Sequence, residues 1–192
     1  MFLNATGIII GVVVALLLIV IIFVCWYIST ANTFRRLEQN VEEAESGIDV
    51  ALTKRFDSLT KMLETTKGYA KHEAETLENT IKWRSGLPKN ASMEDKQAFA
   101  SQLSQVEKGL NVVVEQYPQL KAEAVFAKLQ SAIMDSEEHL QAARRLYNSN
   151  VKIINQRIVS FPGSWVANKI GMTKKEYFEV EEAKKQDVKM EF

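Results

Sequence analysis

The stretch GIIIGVVVALLLIVIIFVCWYI, residues 7–28, decides how the chain is built, because it holds no charged residue, no proline and no amide. At about 1.5 Å per residue, a helix of roughly 22 residues is about 33 Å long, enough to cross a hydrocarbon core of about 30 Å. Leu, Ile, Val and Phe each contribute about −0.3 to −0.6 kcal/mol at the centre of such a helix, and nothing in the stretch opposes them. Trp26 and Tyr27 fall at its downstream edge, the depth that amphipathic rings favour. The reading is a membrane span. A cleaved signal peptide is the competing one, since Ser29-Thr30-Ala31 offers a small-x-small pattern. Residues 1–6 carry no Lys or Arg, however, and the apolar run exceeds the about 7–15 residues of a signal core.

Arg35 and Arg36 are the first basic residues after the span, and none precedes it. The positive-inside rule therefore places residues 1–6 outside and the C-terminal part in the cytoplasm. Gly7, Gly11 and Ala15 put a small residue at every fourth position of one face, a geometry that lets two helix backbones approach closely in lipid. The plainer explanation is that glycine is common in membrane helices, and both stand. Cys25 is the single cysteine and lies in the span, so neither a disulfide framework nor a thiolate metal site is available. It reads as a lipid-facing residue, with palmitoylation near the interface as the alternative.

The 192 residues include 24 Lys+Arg and 24 Asp+Glu, none of them before Arg35, so the part beyond the span is neutral and has no basic face suited to nucleic acid. With 8 glycines and 3 prolines, the last at Pro88, Pro118 and Pro162, the pattern is one of long helices with few joints. No strand-like alternation appears. The fold expected is all-α: a transmembrane helix over residues 7–28, then a long-helix antiparallel bundle over 29–172, with three long helices and a short C-terminal helical segment. A charged tail, 173–192, follows.

From Phe34 to about Trp83, apolar residues recur in steps of three and four through Val41, Ile48, Leu52, Leu59, Leu63, Ala70, Leu77 and Ile81. No proline separates this helix from the span, so one continuous helix is expected. Gly47 and Gly68 are its weak points, and Gly68 reads as a close helix crossing rather than a break. Residues Ser85 to Asn90 form a turn by composition, and Ser92-x-x-Asp95 resembles a capping box for a second helix with Phe99, Leu103, Val106 and Leu110 on its stripe. A third helix follows Pro118 with Leu120, Ala124, Ala127, Leu129, Ile133, Leu140, Tyr147, Val151 and Ile154, and Phe161-Pro162-Gly163 stops it. The second helix returns only halfway toward the membrane, so in a strict up-and-down bundle this third helix overshoots the tip of the first. Either Pro118 is a kink, or the segment carrying Trp165, Val166 and Ile170 folds back over the excess; burial of those three residues favours the latter.

Four segments, in order and at matching spacing, carry a resemblance: KRFDSLTKMLETTKGYAKHEAETLE (54–78), YPQLKAEAVFAKLQ (117–130), EEHLQAARRLYNSNVKIINQRIVSFP (137–162) and EYFEVEE (176–182). Together they resemble the LemA family of bacterial membrane proteins. The resemblance implies an N-terminal membrane helix, an outside N-terminus and a helical-bundle body, and it brings no established biochemical activity. This chain departs from the family after Asp57, where Ser58-Leu59-Thr60 replaces a usual proline and larger apolar residues. The first helix is expected to be straighter for it.

The polar positions of those segments are Arg55, Asp57, Lys67, Tyr69, His72, Glu73, Arg144, Tyr147, Asn148 and Asn155. Lying on or beside buried stripes, where an unpaired polar group costs about 1–3 kcal/mol, they read as a hydrogen-bonded layer joining the first and third helices. The alternative is a site for a ligand or partner. A di-iron centre needs Glu-x-x-His, but Tyr69 and Ser136 precede His72 and His139 by three residues. His72 with Glu73 or Glu75 is the one weak metal candidate. No nucleophile elbow, Walker loop or dinucleotide fingerprint occurs. The expectation is a protein without enzymatic activity or cofactor: a membrane-anchored helical scaffold that self-associates through its coiled-coil-like rod or holds an unidentified membrane or cytoplasmic protein. A membrane-shaping or lipid-sensing protein, with Trp26, Tyr27, Arg35, Arg36 and the Trp165 segment at the bilayer, is the alternative. A metal-dependent enzyme is the lesser one.

Overall fold

The computed structural model describes residues 2–81, 86–88 and 90–179, and the side chains of residues 2–6 and Lys121 lie outside the description. The described residues form six helices and no strand: α1 (Phe2–Lys67), α2 (Lys71–Glu78), α3 (Met93–Gln116), α4 (Pro118–Lys121), α5 (Ala124–Val159) and α6 (Gly163–Lys169). The all-α bundle with a long apolar N-terminal helix is as the sequence indicates. That helix already begins at Phe2. The chain divides into two compact units: residues up to Val41 with Asn150–Lys175, and Glu42–Ser149 with the chain from Glu176 onward. Both α1 and α5 contribute to each.

In the second unit the α1 stripe is buried as its spacing requires, with Ile48, Leu52, Leu59 and Leu63 at 2 % exposure or less. The α3 stripe of Phe99, Leu103, Val106 and Leu110 is equally enclosed. Ser92 caps α3 by a reciprocal box: its Oγ accepts from the Asp95 amide at 3.1 Å, and its own amide donates to the Asp95 carboxylate at 3.4 Å. On α5 the buried residues are Phe126, Ile133, Ser136, Leu140 and Tyr147, whereas Ala124 and Ala127 are exposed. The stripe is therefore offset from the expected one in the first turns of α5, where Phe126 rather than Ala124 and Ala127 faces the core.

The direction of α3 differs from the up-and-down expectation. Lys96 meets Glu45 and Asp49, while Glu107 meets Arg55, so numbers rise together and α3 runs in the same sense as α1. By contrast Glu137 meets Arg55 while Ala143 lies 3.7 Å from where a Cβ on Gly47 would sit, so α5 runs opposite to α1. The return before α3 begins in α2, where Glu73 meets Tyr117 and Leu77 lies beside Gly109, so α2 runs opposite to α3; Gly86, at φ +86°, passes the Phe56 ring. Pro118 opens the one-turn α4 and the chain reverses there into α5. This removes the length difficulty, since α3 no longer has to carry the chain back.

The break after α1 lies at Gly68, not at Trp83. Thr66 O receives both the Tyr69 and Ala70 amides, and a Cβ on Gly68 would meet only the Thr65 carbonyl at 3.5 Å. The close helix approach expected at Gly68 occurs instead at Gly109 on α3, where a Cβ would collide with the Leu77 side chain of α2. Trp83, Ser85 and Lys89 lie outside the described residues.

In the first unit, α1 buries Phe34 and Val41 while residues 7–25 stand bare, and an 18-residue window there has mean hydropathy 3.7 with none of it buried. After the cis Phe161–Pro162 peptide, α6 buries Val166 and Ala167. It ends where Gly171, at φ +71°, lets the Met172 and Gly171 amides donate to the Ala167 and Asn168 carbonyls, a left-handed cap that glycine adopts without steric cost. Part of the expected charged tail is thus structured: residues 175–178 pack against α5, and Phe178 is 1 % exposed. Residues 180–192 lie outside the described residues.

Candidate functional site

The polar residues named by the sequence do not form one layer. In the second unit Arg55 is buried at 3 % exposure because it stands on the α1 stripe where α3 and α5 both face it. Its guanidinium donates to Glu107 at 2.6 Å and to Ser104 at 3.2 Å on α3, and pairs with Glu137 at 2.6 Å on α5. Its Nε has no hydrogen-bond partner. A buried guanidinium between two carboxylates fixes the register of three helices, since removing either side strands a charge.

Lys96 is a second buried charge, also 3 % exposed, and donates to Glu45 at 2.8 Å with Asp49 at 2.6 Å. Burial works to lower its pKa, but the bonds to Asp49 and Glu45 outweigh it, and the ammonium is held above its ordinary value. Sequence reading missed Lys96, Glu107 and Glu137. The signal was present at Lys96, which stands at helical spacing from Met93, Ala100 and Leu103 on an otherwise apolar stripe.

The α5 residues hold the C-terminal segment rather than the first helix. Within the second unit, Tyr147 donates its hydroxyl to the Glu176 carbonyl at 2.9 Å, and Asn148 exchanges two hydrogen bonds with the backbone of Phe178. Burial, reinforced by Glu45 and Glu176, pushes the Tyr147 phenol up to about 12. Within the first unit, Asn155 makes the same double exchange with Lys175, whose ammonium meets Glu38 at 2.7 Å. An asparagine side chain presents a donor and an acceptor side by side, and so satisfies an extended backbone as a neighbouring strand would.

The remaining positions scatter. Asp57 and His72 are exposed and Arg144 is half-buried. Lys67 pairs with Glu78, whose hydrogen bond raises the lysine pKa. The Tyr69 hydroxyl donates to Glu123, and Glu73 accepts from Tyr117 at 3.3 Å. Glu73 and Glu75 are not gathered with His72 into a metal-binding group: among the described residues, no group of three or more His, Cys, Asp or Glu could hold an ion.

In the first unit, Trp26 and Tyr27 are half-buried, and α6 brings Trp165 against them: its ring lies 5.7 Å from Phe23 and 5.8 Å from Tyr27. Arg35 and Arg36 are exposed between two and three turns further on. Gly7 and Gly11 have no atom within 4 Å of a built Cβ, and Ala15 is exposed, so this face is uncovered in the chain.

An all-α body whose long first helix opens with a bare apolar segment defines a class: helical proteins fitted for membrane association. A sequence model of the LemA family matches residues 44–192, and the chain belongs to the LemA family. It is similar to Protein LemA of Metamycoplasma hominis, 29% identical over 168 residues that cover 87% of this chain and 77% of that protein.

Proposed function

We propose that the protein is a non-enzymatic, membrane-anchored helical scaffold at the cytoplasmic face of a bacterial membrane, and that it self-associates or holds a partner protein there. The observation that carries this reading is the unbroken α1, which passes from the bare apolar residues 7–25 into a buried core stripe without a cap, proline or turn. An apolar helix exposed all round is stable in lipid and not in water. The open Gly7, Gly11 and Ala15 face supports self-association in the bilayer. Crosslinking and native mass measurement of the full chain in lipid test it. A dimer or higher oligomer, or a co-purifying membrane protein, is the expected result. A lone monomer with no partner overturns the scaffold reading. A second reading, lipid sensing, is favoured by the place of Trp165 beside Phe23 and Tyr27.

A further inference from the structure

The turn between α5 and α6 leaves an apolar surface that nothing in the chain covers. Phe161 is 87 % exposed, more than any other large apolar side chain among the described residues, and Trp165 is 43 % exposed. With Pro162, Phe23 and Trp26 they line an open recess of about 450 Å³.

This exposure does not come from a loose turn. A Cβ on Gly163 would lie 2.9 Å from the Arg157 carbonyl, Val166 and Ala167 are buried beneath the turn, and Gly171 closes α6 with a double cap. The fold therefore holds Phe161 outward at the level of Phe23, inside the segment read as the membrane span.

Charge identifies what covers it. The whole chain is neutral, but the first unit holds seven Lys or Arg side chains and a single carboxylate, Glu38, which Lys175 pairs. Arg157 and Lys169 flank the turn in sequence, both exposed, and Arg35 and Arg36 follow the span. An apolar aromatic tip within a basic unit matches a bilayer leaflet, acyl chains at the tip and anionic headgroups behind it.

We propose that the Phe161–Trp165 turn is a second, monotopic membrane contact: Phe161 and Trp165 insert into the interfacial layer of the anionic leaflet beside the span. The proposal rests on the anchored reading above and adds to it that the C-terminal half of the chain is also fastened to lipid.

The test uses the full chain in vesicles of phosphatidylcholine and phosphatidylglycerol, with acyl chains either plain or brominated, and one tryptophan per variant. The first variant carries Phe161→Trp with Trp26→Phe, Trp83→Phe and Trp165→Phe. The second keeps native Trp165 alone, and the third keeps Trp26 alone as the reporter of the span. In the expected result all three emit at short wavelength and lose emission in brominated lipid. If Trp26 is quenched but the tryptophans at 161 and 165 are not, the turn lies outside the bilayer and the proposal is overturned, while the anchor stands. Blue-shifted emission at 161 without quenching means protein covers the tip, which also overturns it. If none is quenched, the anchored reading falls and takes this one with it. Phe161→Cys in a Cys25→Ala background, carrying a nitroxide, gives a check that leaves Trp165 in place: collisions with oxygen are expected to exceed those with a water-soluble nickel chelate, and the reverse overturns insertion.

Discussion

Asn148 donates from Nδ2 to the Phe178 carbonyl at 3.0 Å and accepts the Phe178 amide on Oδ1 at 2.8 Å, so one side chain satisfies both backbone groups of a residue that is 1 % exposed. Asn148→Ala leaves both groups without that partner, at a cost of about 1–3 kcal/mol for each one that stays out of water. Urea unfolding of the full chain in detergent is expected to show the loss, and the Phe178 amide is expected to exchange hydrogen faster. Asn148→Asp keeps the acceptor and loses the donor, and is expected to fall between the two.

At Arg55 the penalties are unequal on the two sides. Glu107 and Glu137 keep 30% and 36% of their side-chain surface in water, whereas Arg55 keeps 4%. Arg55→Met leaves carboxylates that can hydrate. The double change Glu107→Gln with Glu137→Gln leaves a buried guanidinium without a counter-charge, and breaking such a pair costs about 3–5 kcal/mol. The double variant is therefore expected to melt below Arg55→Met. Equal melting would mean that the guanidinium reaches water after all.

Tyr147 gives a pH signature. Its phenol ionises near 10.0 when unfolded and at about 12 when folded, so between those values the unfolded chain gives up a proton that the folded chain keeps. Its contribution is full below pH 10 and is lost as pH rises toward 12. Lys96 acts in the same direction: raised above 10.5, it stabilises below that value and ceases to as pH climbs past its folded pKa. Tyr147→Phe is expected to flatten the alkaline fall without abolishing it. At neutral pH it loses one hydrogen bond, about 1 kcal/mol.

Gly163→Ala sets a new Cβ 2.9 Å from the Arg157 carbonyl, a backbone atom that cannot turn aside. Overpacking of this kind costs about 1–3 kcal/mol. Thermal unfolding is expected to move down. Gly68→Ala is the control, since its Cβ would stand 3.5 Å from the Thr65 carbonyl, an ordinary contact.

The helical stripes, the Ser92 box and the apolar first helix were legible because each is local: a spacing of three and four, or two side chains three residues apart. The sense of α3 was not. It is set by which charges meet, and Lys96 with Glu45 and Asp49 are about fifty residues apart in sequence, with no periodic signal linking them. The role of Asn148 and Asn155 was half legible. Their place beside a buried stripe indicates side chains that need hydrogen-bond partners, but a layer joining the first and third helices is the wrong partner, because the segment around Phe178 reads as a charged tail.

Residues 175–178 belong to no helix, yet Tyr147, Asn148 and Asn155 spend their polar groups on that segment's backbone and Phe178 is enclosed with it. The helices are therefore an incomplete set by themselves: a chain cut before Lys175 keeps every helical stripe and still loses the strap that occupies those three side chains.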